Sequence, residues 1–168
     1  MTNNNRSYFQ KFVSLLQKIE DGILISLLLL MIVMAVLQIF LRNIFDSGII
    51  WGDSLVRVLV LWIGLMGAMV ASRDYRHISI DVLSRYLSDS IKKMTTLVIS
   101  IFTAFVCGIM AYYSFLFVIM EKEDGLIAFA NIPAWVCESI IPISFIVISL
   151  RYFLYSFTNL IRLFHGEK

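Results

Sequence analysis

From Ile23 to Leu41 the chain runs 19 residues without a charged side chain. A helix of that length, at ~1.5 Å per residue, crosses a ~30 Å hydrocarbon core. Three comparable stretches follow. A second extends from Trp51 to Ser72, with Asp53 and Arg57 in its first two turns. The third, Met94 to Met120, is uncharged for 27 residues and must tilt or protrude. The fourth, Pro133 to Phe157, is interrupted by Glu138 and Arg151. The 168 residues are 60% hydrophobic and 15% charged, against ~25% charged in an average soluble chain. Mean hydropathy is +0.85. A soluble domain of this size leaves too much surface exposed to hide that apolar content, so lipid is the solvent. The apolar runs are continuous rather than alternating, which favours helices with internally satisfied backbones over barrel strands.

The expected fold is therefore all-α, a single membrane domain over 1–168. It has four transmembrane helices, at about 22–42, 51–72, 93–120 and 133–158. An amphipathic interfacial helix is expected between helices two and three, at about 78–90. There Val82, Leu83, Tyr86, Leu87 and Ile91 recur at helical spacing, and Asp81, Ser84, Arg85 and Lys92 fill the other face. The first span is too long and too bulky at its end for a cleaved secretory signal and is expected to stay as an anchor. Cations are uneven. Ten flank one side, including Arg73, Arg76, Arg85, Lys92 and Lys93 between spans two and three; the other side has Arg42, Lys122 and, just inside a helix, Arg57. The positive-inside rule puts both termini in the cytoplasm.

Candidate chemistry is sparse. Net charge is +2, which gives no electrostatic reason to expect a nucleic-acid partner. Cys107 and Cys137 lie in apolar stretches without ligand spacing. His77 and Asp81, four apart, suit a local hydrogen bond in the turn after span two, or a contact with a partner subunit, better than a metal or catalytic site. No catalytic, metal or cofactor-binding residue is assigned. Asp53 and Arg57 share a helix face and can pair. Glu138 lies at a depth matching Arg57, which makes a cross-helix pair an expectation. Gln38 and Arg42 end span one, to cap it or face a neighbour. Gly67 and Ala68, with Gly64 and Ala71, supply small faces for close helix approach. Pro142 removes the hydrogen bond to the Glu138 carbonyl and should bend span four. Arg151 can snorkel toward the nearer end. Charged groups sit toward span ends, as in a structural subunit of a larger complex; an independent four-span exporter or channel subunit is the alternative.

The run "WGDSLVRVLVLWIGLMGAMVASRDYRHISIDVL", Trp51 to Leu83, resembles the small membrane subunit of tripartite ATP-independent periplasmic (TRAP) transporters. The resemblance rests on Trp51, Asp53, Arg57, Gly67, Ala68, Arg73, His77 and Asp81, and continues in span four through Pro133, Trp135, Pro142 and Arg151. Ser54 stands where many relatives carry a second acid. The resemblance implies a bacterial inner-membrane scaffold subunit, not an enzyme, in a sodium-coupled uptake system for organic acids of the C4-dicarboxylate or sialic acid class. It implies a large membrane subunit that binds substrate and sodium and moves like an elevator, and a periplasmic binding protein that this subunit helps to receive.

Overall fold

The computed structural model describes residues 3–73 and 89–164. Five helices are present there: α1 (Asn3–Phe45), α2 (Gly52–Ala71), α3 (Asp89–Asp124), the short α4 (Ala134–Glu138) and α5 (Ile140–Phe164). Between α3 and α4 lies a hairpin of β1 (Ile127–Phe129) and β2 (Ile132–Pro133). Four segments are long and apolar enough to cross a membrane: Val13–Phe45, Gly52–Ala71, Met94–Asp124 and Ala134–Ile161. The protein is an all-α, multi-pass membrane protein. His77 and most of the expected interfacial helix, Asp81 included, lie outside the described residues. Asp89 and Ser90, at the end of that expected helix, open α3.

The chain forms two compact units. One comprises Met1–Val70 with Ile127–Ile132, the other Ala71–Leu126 with Pro133–Lys168.

In the first unit α1 is 43 residues long, about 65 Å. It starts well before the uncharged run because hydropathy marks only the lipid-facing part of a helix, and no proline stands between Asn3 and Gly22 to stop it. Val13, Gln17, Glu20, Leu24, Leu27, Met31, Met34, Gln38 and Leu41 form a half-buried stripe. Steps of four and three, averaging 3.5 residues, keep such a stripe facing one way along a left-handed supercoil. Most of the helix is otherwise open, and only 6% of its most apolar window is buried within the chain. Arg42 in the last turn complements the helix dipole. Asp46, at φ 47°, then turns the chain out of the helix, a left-handed position that Asp tolerates better than most residues. On α2, Leu59, Met66 and Met69 are buried at helical spacing.

In the second unit α3 and α5 are packed along most of their length. Ala104 meets Ser149 and Lys122 meets Trp135, so the two helices run antiparallel, as their short hairpin connection requires. The seam on α3 is a run of small residues, Ser100, Ala104, Gly108 and Ala111, nearly one turn apart. Without water to drive apolar surfaces together, helices in lipid associate through close packing and hydrogen bonds, and small residues permit both. The Ser149 hydroxyl donates to the Ala104 carbonyl at 2.8 Å, and a Cβ added at Gly108 would lie 3.5 Å from the same hydroxyl oxygen.

The hairpin turns on Ala130 (φ 43°) and Asn131 (φ 67°). Positive φ at both central residues matches the right-handed twist of paired strands. Span four then opens as α4 and breaks at Ser139. The break follows from Pro142, which has no N–H to offer the Glu138 carbonyl. The neighbouring amides stay satisfied: Ser139 N donates to Trp135 O at 3.0 Å, and Ile143 N to Ser139 O at 3.4 Å.

Candidate functional site

The polar groups of the first unit collect where α1 turns into α2. Gln38, one turn before Arg42, points its amide across the 46–51 loop. Its Nε2 donates to the Ile49 carbonyl at 3.1 Å, and its Oε1 accepts from Ile49 N at 3.3 Å. One side-chain amide thus holds both backbone groups of a loop residue. Nε2 also approaches Asp53 Oδ1 at 3.3 Å, which joins the loop to the first turn of α2. Gly52 is buried under this clasp; a Cβ there would stand 2.7 Å from Gln38 Oε1. Glycine at 52 leaves room for the Gln38 amide, which a side chain there would displace. Beside the clasp Trp51 stacks on Phe129 of β1, with centroids 6.3 Å apart and planes at 21°. The aromatic pair ties the loop before α2 to the hairpin.

The second unit has its own rim. Lys122 Nζ lies 5.5 Å from the centre of the Trp135 ring, within cation–π range. Half-buried Glu138 ends α4, and its Oε2 is buried without a hydrogen-bond partner among the described residues. Toward the other end Arg151 Nη1 donates to the buried hydroxyl of Ser72 at 3.1 Å. A guanidinium on α5 thereby grips the residue that follows α2. Serines inside the spans close on helix carbonyls: Ser100 on Thr96, Ser114 on Met110, Ser144 on Ile140. This arrangement can fasten helices and loops together. Among the described residues no three His, Cys, Asp or Glu side chains gather to hold a metal ion.

The comparisons fit these anchored ends. Residues 31–163 match the family described as tripartite ATP-independent periplasmic transporters, DctQ component. The chain belongs to the DctQ family. The ectoine TRAP transporter small permease protein TeaB of Halomonas elongata is 26% identical over 148 residues, 88% of this chain and 77% of TeaB. A putative TRAP transporter small permease protein of Haemophilus influenzae is 34% identical over 68 residues, 40% of this chain and 42% of that protein. The sialic acid TRAP transporter permease protein SiaT of Haemophilus influenzae is 29% identical over 92 residues, 55% of this chain but only 15% of SiaT. The chain thus matches a small part of that longer relative.

Within this DctQ-family fold, the residues singled out in the sequence fall into three groups. Trp51 immediately precedes α2 and Asp53 and Arg57 lie in its first turns, but Asp53 takes its hydrogen bond from Gln38 and no ion pair joins it to Arg57 among the described residues. Glu138, Pro142 and Arg151 occupy the broken span four; Pro142 is buried and Arg151 is tied to Ser72. Arg57 and Glu138 stand in separate units. Arg73 follows α2 and is half-buried. Gly67 and Ala68 are on α2, where a Cβ added at Gly64 or Gly67 would meet nothing within 4 Å. The sequence reading did not single out the α3–α5 seam. The four-residue spacing of Ser100, Ala104 and Gly108 was the available signal. Gly52 was missed as well, since its role depends on where Gln38 reaches after the chain reverses.

Proposed function

We propose that this chain is the stationary scaffold subunit of a sodium-coupled TRAP uptake transporter, cytoplasmic at both termini in a bacterial inner membrane. The observation that carries the reading is the match of residues 31–163 to the DctQ component of tripartite ATP-independent periplasmic transporters, a name that implies other components acting with it. We read one of those components as the chain's partner in the membrane. That partner is a large membrane subunit, which carries the substrate and sodium sites, and a periplasmic binding protein delivers the solute.

The physical character of the chain supports this. Asp, Glu, Lys and Arg side chains gather toward the span ends, and serine hydroxyls within the spans are spent on helix carbonyls. A solute path needs polar groups along its length. A scaffold needs anchored loops and rigid seams, which the Gln38 clasp, the Trp51–Phe129 stack and the Ser149–Ala104 bond provide. One relative is named for ectoine and another for sialic acid, two unlike solutes, which supports placing solute selection outside this chain. The cargo is an organic acid, and selection among such acids belongs to the other subunits. Family membership weighs against the alternative of an independent exporter or channel.

The test is affinity purification of the tagged chain, expressed with the large permease subunit and the binding protein of its own system. The large subunit should be retained in mild detergent at a fixed ratio. A chain that purifies by itself from membranes containing both would refute the proposal.

A further inference from the structure

We draw no further inference here: the strongest candidate, the half-buried carboxyl of Glu138 at the break in span four, whose Oε2 has no hydrogen-bond partner among the described residues, is a lone acid, and nothing in the structure shows what covers it.

Discussion

Replacing Gly52 with alanine tests the clasp at the start of α2. The new Cβ would come within 2.7 Å of Gln38 Oε1 and 3.1 Å of Gln38 Cδ. Those atoms end a flexible side chain, so the substitution does not force the backbone apart; it evicts the amide. Eviction breaks the two hydrogen bonds between Gln38 and the Ile49 backbone, at 3.1 and 3.3 Å, and the weaker approach to Asp53. At ~0.5–1.5 kcal/mol for each of the two backbone bonds, the loss is about 1–3 kcal/mol. Alanine recovers up to ~1 kcal/mol through helix propensity, less at a helix end. Gly52→Ala should therefore destabilise the protein by about 1–2 kcal/mol. The assay is unfolding of the purified chain in detergent, followed by circular dichroism, for Gly52→Ala, Gln38→Ala and the double variant. Gln38→Ala alone should cost about 1–3 kcal/mol. With Gln38 gone, Gly52→Ala has nothing to evict and becomes neutral or slightly stabilising, so the effects are strongly non-additive. An equal cost of Gly52→Ala in both backgrounds would refute the clasp.

Other expectations follow from the second unit and the hairpin. Gly108→Ala should be nearly neutral, since its Cβ meets the Ser149 hydroxyl at an ordinary 3.5 Å, whereas Gly108→Leu should wedge α3 from α5 and cost about 1–3 kcal/mol in the same unfolding assay. Ser149→Ala removes the bond to Ala104 O and should cost about 0.5–1.5 kcal/mol, with a further loss if Gly108→Leu is already present much smaller than the sum. Ala130→Gly should stabilise the hairpin by up to about 1 kcal/mol, because glycine accepts φ 43° without the Cβ conflict that alanine carries, and a raised unfolding midpoint would register it.

Hydropathy alone located all four spans, because a run such as Met94–Met120 has no other solvent than lipid. It did not locate the true start of α1: the segment before Ile23 is polar enough to leave the bilayer yet holds no helix breaker, so the helix continues to Asn3. Pro142 announced the interruption of span four, and the break falls at Ser139, where a missing amide leaves the Glu138 carbonyl unpaired within the helix. The site was less legible. Gln38 read as a cap or a neighbour-facing group, and holding the next loop is knowable only once residues 46–51 have reversed the chain. Asp53 and Arg57 satisfied the spacing of an intrahelical pair, but spacing carries no information about the competing amide of Gln38. Small residues occur on both α2 and α3, and the α3 set is legible as a seam only once α5 is placed against it.

Reconstitution into liposomes probes the central claim most directly. Under an inward sodium gradient, labelled sialic acid, ectoine and a C4-dicarboxylate are offered to vesicles holding this chain alone, and to vesicles holding it with the large subunit and the binding protein. The account predicts no uptake by the chain alone and uptake of one solute by the full set. Sodium-driven accumulation in vesicles that contain only these four spans would contradict it.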